Sequence, residues 1–88
     1  METIVVRHKV RDIKAWLRGH QDRKRIFAPA VIDFKTFQDT DDPNSVIIVA
    51  EVTDLELLVK IINDPKNQEL KDLHTVIEPI TMSRQVDL

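Results

Sequence analysis

The segment Val46–Val52 constrains the fold more than any other part of the chain, because it is apolar on both sides of the strand that it predicts. Side chains of a strand alternate between two faces. One face carries Val46, Ile48, Ala50 and Val52, and the other carries Ile47 and Val49. In an isolated two-layer domain one face of the sheet meets water, so a central strand should alternate between apolar and polar residues. The second apolar face therefore predicts a cover from outside the subunit.

Four segments have the alternation or the β-branched composition of strands: Thr3–Val10, Val31–Gln38, Val46–Val52 and Thr75–Val86. The turn Asp39–Ser45 is short and rich in Asp, Asn and Pro, so it joins the middle two strands in a hairpin. Pro79 cannot donate a ladder hydrogen bond, and we therefore expect the last strand at an edge of the sheet.

Two helical regions separate the strands. The first begins after a candidate N-cap, Asp12, and its inward stripe is Ile13, Trp16, Leu17 and His20. The second begins after Asp54 and restarts at Pro65. Right-handed crossovers then place both helices on one face of a four-stranded antiparallel sheet, with strands one and three in the middle. We predict a single α+β domain over residues 1–88 with a ferredoxin-like β-α-β-β-α-β fold.

The uncovered sheet face predicts a homodimer. Val5, Val31 and Phe37 on the neighbouring strands add to the apolar side chains of Ile47 and Val49. Burial of apolar surface stabilises by ~25 cal/mol per Å², and the simplest cover is the same surface of a second copy. We predict two subunits whose sheets pack face to face.

Composition excludes several classes of function. The chain has no cysteine for disulfides or thiolate chemistry, and its one glycine, Gly19, cannot form a glycine-rich phosphate loop. The net charge of −2 creates no field that attracts nucleic acid or anionic lipid. No apolar run approaches the ~20 residues of a membrane span, and the N-terminal METIVVRHK lacks a small-residue cleavage site. We expect a cytoplasmic protein that binds neither nucleic acid nor membrane.

Two motifs relate the chain to a known group of proteins. HKVRDIKAW leads from a strand into a helix, and FQDTDDPNSVIIVAEVTDLELL spans the hairpin and the start of the second helix. From about Arg7 to Met82 the chain resembles the antibiotic-biosynthesis-monooxygenase-like group of the dimeric α+β barrel superfamily. The resemblance implies a dimeric α+β barrel and, in the enzymes, a pocket in each subunit between helices and sheet. The superfamily also includes haem-degrading enzymes, cyclases and proteins without known activity, so fold alone assigns no function.

Five side chains on or against the helix-covered face form the candidate site: His8, Trp16, His20, Phe34 and His74. A neutral imidazole can take a proton from an acidic phenol or enol carbon, because its ordinary pKa lies near ~6.5. We assign His8 as the base, with His20 assisting. An indole can stack on a flat ring, so Trp16 is expected to bind substrate together with Phe34 and His74.

The leading prediction is an enzyme of the monooxygenase or cyclase type that acts on a small aromatic or polyketide-like molecule, without cofactor or metal. The alternative is a non-catalytic homodimeric module that binds a small ligand or a protein, in which the same histidines are structural. A cavity of at least ~300 Å³ beside His8 would support the enzyme, and a filled interior would end that proposal.

Four other interpretations fit less well. The haem-degrading relatives carry an asparagine on the first strand, a tryptophan in the second helix and a histidine further along. This chain has no asparagine on its first strand and has Ile61 near the position of the tryptophan. Only the histidine portion, LKDLH ending at His74, matches.

The three histidines lack metal-site spacing, and the aspartates of the hairpin turn lack the glycine and glutamate of a calcium loop. An RNA-recognition domain needs exposed aromatic residues on its middle strands. Arg23–Arg25 is interpreted as a solvated helix face.

Overall fold

An antiparallel sheet organises the fold. In the computed structural model, which describes residues 1–88, the strands are β1 (Glu2–Val10), β2 (Val31–Gln38), β3 (Ser45–Val52) and β4 (Val76–Arg84). Their spatial order is β2-β3-β1-β4. The central position of β1 and β3 and the edge position of β4, which contains Pro79, are confirmed.

Two helical segments cover one face of this sheet. Helices α1 (Ile13–Arg18) and α2 (His20–Phe27) connect β1 to β2, and α3 (Leu55–Asn63), the 3₁₀ turn Pro65–Asn67 and α4 (Gln68–Leu73) connect β3 to β4. The predicted N-caps are confirmed: Asp12 accepts hydrogen bonds from the first turn of α1, and Asp54 accepts one from the first turn of α3. None of the helices combines the length and the hydropathy that crossing a bilayer requires.

The helix-covered side of the sheet, called the inner face below, contains the core. Every second residue of the central strands is buried there: Ile4, Val6, His8 and Val10 on β1, and Val46, Ile48, Ala50 and Val52 on β3. Trp16 on α1 and Leu58 and Ile62 on α3 pack against this layer. Full burial of aliphatic and aromatic side chains is the main stabilising contribution in so small a domain.

The opposite side, called the outer face below, is not covered by any element of the chain. The cross-strand pairs Val5–Val49 and Phe37–Ile47 place these four side chains in one apolar patch. Three of them are half-buried by their neighbours, and Phe37 is 48% exposed. In the folded chain, β3 therefore has apolar side chains on both the inner and the outer face of the sheet.

One strand residue lies on the opposite face from the predicted one. The alternation predicts Val31 on the outer face, but Val31 is 6% exposed and opposes Val52 on the inner face. The pairing register shifts between Val31 and Asp33, so that Ile32 is an extra residue in a β-bulge and lies 65% exposed. A bulge of one residue reverses the face of everything on one side of it.

Candidate functional site

A cavity lies between the inner face and the helices, where the sequence predicts the site. Its volume is about 90 Å³, and 14 of its 19 lining residues are hydrophobic. The polar lining residues are His8, Arg23, Asn67, Lys71 and His74. Because one water needs ~10–15 Å³, the cavity can hold several waters. It is therefore not filled, but it is smaller than the ~300 Å³ expected of a site for small organic molecules.

Four of the five predicted site residues line this cavity, namely His8, Trp16, Phe34 and His74. His20 does not. Its ring lies edge to face against Phe34, with ring centroids 5.4 Å apart. The predicted helix is interrupted at Gly19, so the spacing that would align His20 with Trp16 no longer applies. Leu17, also predicted on the inward stripe, is 49% exposed.

His8 has the geometry of a neutral base. Its Nδ1 lies 3.0 Å from the carbonyl oxygen of Lys9. A carbonyl only accepts, so Nδ1 carries the proton and Nε2 keeps its lone pair in the neutral ring. Burial lowers the pKa of His8 from 6.5, the Lys9 hydrogen bond opposes this change, and the positive charge of Arg23 lowers it further. At neutral pH the ring is therefore an uncharged proton acceptor.

The position of His74 depends on the only glycine. A Cβ on Gly19 would lie 2.5 Å from Cε1 and 2.6 Å from Cδ2 of the His74 ring, which is closer than real Cβ contacts. The φ of Gly19 is −83°, which any residue can adopt, so glycine is required here for space. His74 Nε2 lies 3.4 Å from Oδ2 of Asp22. Burial and the charge of Arg23 lower the pKa of His74, against the influence of Asp22.

Arg23 is the site residue that the sequence interpretation missed. It is 6% exposed instead of solvated, and its Nη2 donates a hydrogen bond of 2.6 Å to the carbonyl of Trp16. Its guanidinium carbon lies 4.1 Å from the centroid of the Trp16 ring. The signal was present, because Arg23 precedes Ile26 and Phe27 by three and four residues, the spacing of one helix face. The basic composition of Arg23–Arg25 nevertheless favours the interpretation as a solvated helix face.

The helix break explains how Arg23 reaches the Trp16 carbonyl. In a continuous helix this carbonyl would accept from the N–H four residues later. Here it accepts a bond of 3.0 Å from the N–H of Gly19 at the end of α1, while Arg23 N–H donates to the Gly19 carbonyl at 3.0 Å in α2. The carbonyl at the end of α1 is thus available to a side chain, as terminal helix carbonyls generally are.

No protein-family model and no curated protein sequence matches this chain. Solved structures do resemble it. One is an antibiotic biosynthesis monooxygenase, with a TM-score of 0.68 and 16% identity over 100% of this chain and 99% of the other. SnoaB, a cofactor-independent oxygenase from Streptomyces nogalater, has a TM-score of 0.65 and 19% identity over 96% and 93% of the two chains.

Protein Atu4242 from Agrobacterium tumefaciens has a TM-score of 0.69 and 14% identity over 100% of this chain and 94% of that protein. At such identities the likeness establishes the fold alone. The chain has the ferredoxin-like fold of the antibiotic biosynthesis monooxygenase structures, which confirms the resemblance inferred from its motifs.

Proposed function

We propose that this protein is a cofactor-independent enzyme of the monooxygenase type, acting on a small, flat organic molecule. The observation that carries the proposal is His8, a buried neutral imidazole on the cavity wall whose Nδ1 is held by a carbonyl and whose Nε2 is left to accept a proton. The structural likeness to SnoaB, a cofactor-independent oxygenase, supports this assignment.

The chemistry needs only a base and an activated carbon. His8 Nε2 takes a proton from an acidic phenol or from the carbon next to a conjugated carbonyl, which leaves an electron-rich anion. Molecular oxygen then oxidises this anion. The overall change R–CH₂–R′ + O₂ → R–CO–R′ + H₂O balances, with one oxygen atom in the product and one in water. If oxygen takes no part, the same anion can add to a ketone carbonyl of the substrate in a cyclase-type reaction. The carbon–carbon bond forms as the carbonyl π bond breaks, and the resulting alkoxide takes back the proton from His8.

The residues around His8 suit a flat ring. Trp16 lies edge to face against His8, with ring centroids 5.6 Å apart, and Phe34 lies edge to face against Phe27 at 6.3 Å. Aromatic side chains favour contact with the faces and edges of other rings. In this proposal Trp16 and Phe34 bind the substrate ring, and His74 borders it on the side of α2.

The cavity is small for such a substrate, and one of its walls is lightly packed. Asn67, Leu70 and Lys71 line the cavity from the 3₁₀ turn and α4, which contain no buried residue. Helix α3, by contrast, buries Leu58 and Ile62. Segments with little buried apolar surface have low local stability. We therefore propose that the wall at residues 65–73 moves outward when substrate binds.

We also propose that the protein is a homodimer through the outer face. Val5, Phe37, Ile47 and Val49 form a diagonal apolar patch across three strands. Arg7 lies opposite Ile47 and Lys35 lies opposite Val49, so both belong to its polar border. Stable interfaces bury ~800 Å² per partner, an area that requires the patch and its polar border together. A second copy presents a surface of matching chemistry, as two-fold symmetric dimers do.

Oxygen uptake by the purified protein, measured with a panel of small phenols and anthrones, tests the enzyme proposal. Native mass spectrometry with the same panel identifies any molecule that binds. We expect His8→Ala to lower turnover at least about 100-fold, the usual contribution of a general base, while the protein remains dimeric. His20→Ala is the control variant, because the His20 ring contacts Phe34 but does not itself line the cavity. Equal turnover by the wild type and His8→Ala would make His8 structural.

The second candidate is a non-catalytic module that binds a small ligand. The volume of about 90 Å³ favours it, because a cavity of this size suits a ligand smaller than a polyketide. Binding of a panel member in the mass spectrum with no oxygen uptake and no product would select this candidate over the enzyme.

A further inference from the structure

Two buried side chains at the cavity have hydrogen-bond donors without acceptors. Arg23 uses Nη2 for the Trp16 carbonyl, but its Nε and Nη1 are buried and have no partner. The indole Nε1 of Trp16 is likewise buried without a partner. Arg23 and Trp16 both line the cavity and are 94% or more buried, being 6% and 1% exposed. Buried donors are almost always paired in native proteins, so this group of three requires an explanation.

The charge of Arg23 also has no direct ion-pair partner within the chain. Its acidic neighbour Asp22 lies 2.9 Å from Arg25 and 3.4 Å from His74, and it is partly exposed. Burial lowers the pKa of Arg23 to about 10, against the opposing influence of the Asp22 carboxylate, so the guanidinium remains charged at neutral pH. A buried cation without a partner is strongly unfavourable unless an anion binds to it.

The other polar groups at the cavity cannot supply this anion. His8 and His74 are neutral at pH 7 because burial and Arg23 lower their pKa. Lys71 is a cation and lies 3.3 Å from Glu78. The cavity therefore has one positive charge, which the carboxylate of Asp22 offsets only in part, in a mostly hydrophobic lining.

We propose that the ligand of this cavity is an organic anion with a flat apolar body, whose charged oxygen accepts hydrogen bonds from Arg23 and from the indole N–H of Trp16. The inference rests on the proposed function and narrows its substrate class to aromatic carboxylates that also bear the acidic phenol or carbon from which His8 takes a proton. The apolar lining binds the ring, and the guanidinium binds the oxygen. A planar guanidinium suits such oxygens through charge-assisted hydrogen bonds.

Two probes of the same shape test the proposal. Benzoate is an anion, and nitrobenzene is its uncharged isostere. The chain has one tryptophan, so the indole ¹H–¹⁵N signal reports on Trp16 alone. We expect benzoate to shift this signal and the Arg23 Nε–H signal, and to bind at least about tenfold more tightly than nitrobenzene, the effect of one charge-assisted hydrogen bond. Nitrobenzene should leave the Arg23 signal nearly unchanged.

Arg23→Met removes the charge and keeps most of the volume. We expect it to weaken benzoate binding at least about tenfold and to leave nitrobenzene binding unchanged. Arg25→Met is the matched control, because Arg25 lies on the same helix but is exposed and paired with Asp22. It should retain wild-type affinity for both probes.

Several results would overturn the proposal. They are equal affinity of the wild type for the two probes, absence of benzoate binding, and an equal loss in Arg25→Met. If Arg23→Met does not fold, the comparison of probes on the wild type still decides. Binding of benzoate through Arg23, while no phenol or anthrone of the panel supports oxygen uptake or yields a product, would overturn the enzyme assignment and leave this inference intact. Turnover of a neutral substrate without any preference for anions would overturn this inference and leave the enzyme assignment intact.

Discussion

The two faces of the sheet both carry apolar residues of β3, but they differ in their cover and in the buried polar residues near them. The inner face is covered by helices, and the three buried polar residues of the chain, His8, Arg23 and His74, all lie on that side. The outer face has no cover and no buried polar residue. The hydrophobic pattern alone therefore identifies two apolar surfaces, and the buried polar groups distinguish the one that carries the candidate site.

The largest expected difference between the faces concerns two adjacent isoleucines of β3. Ile48 is 5% exposed on the inner face, while Ile47 is half-buried on the outer face. Ile48→Ala should lower the free energy of unfolding by about 2–5 kcal/mol, because it leaves a cavity in the core. Ile47→Ala should cost under about 1 kcal/mol per isolated subunit. Urea unfolding in dilute solution, where subunits separate, measures both, and equal losses would contradict the distinction.

A charge on the outer face tests whether a second copy covers it. Ile47→Asp would bury a carboxylate without a partner in the proposed interface, so we expect the dimer to dissociate about 100-fold more readily. Light scattering with a dilution series gives the number of chains per particle. Val59→Asp, the same kind of change on the exposed surface of α3, should leave assembly unchanged. A wild type that is monomeric at all concentrations would refute the dimer.

On the inner side, Gly19→Ala tests the close contact with His74. In an ordinary helical segment this change stabilises by about 0.4–1 kcal/mol. Here we expect destabilisation by about 1–3 kcal/mol, because the new methyl overlaps the imidazole ring. Thermal unfolding of the single and double variants provides the check. In a His74→Ala background the same change should become neutral or stabilising, and a penalty that persists there would have another cause.

The smallest effect concerns pH. The pKa values of His8 and His74 are lowered in the folded protein from the ordinary value of 6.5. Below about pH 6.5 the unfolded chain therefore binds protons that the folded chain resists, so the free energy of unfolding should fall as the pH is lowered. Above that pH both states are neutral at these positions, and this contribution to stability is complete.

Urea unfolding at pH 7.5 and at pH 5.5 measures this dependence, and His8→Gln should reduce its slope. Asp22 and Asp42, whose pKa values are lowered from 3.8, act only in a more acidic range and do not interfere. An unfolding free energy that stays constant between the two pH values would show that neither histidine resists protonation.

Local sequence features determined the elements and most of the site. Alternation located β1 and β3 and assigned His8 to the inner face, because strand periodicity depends only on neighbouring residues. The carboxylates of Asp12 and Asp54 marked the starts of α1 and α3. The motifs around these caps indicate the fold from the sequence alone. The apolar patch of Ile47 and Val49 was likewise visible in the sequence.

Tertiary structure alone decided three details. The bulge at Ile32 moved Val31 to the inner face, and the break at Gly19 took His20 out of the cavity lining. Arg23 was buried against Trp16 although its neighbours suggest a solvated surface. The bulge and the break accompany contacts between segments distant in sequence, namely β2 with β3 and Gly19 with His74. Arg23 and Trp16 are only seven residues apart, but they belong to two helices whose relative placement follows from the break at Gly19. Periodicity describes one segment at a time, so it cannot foresee where two segments compete for the same space.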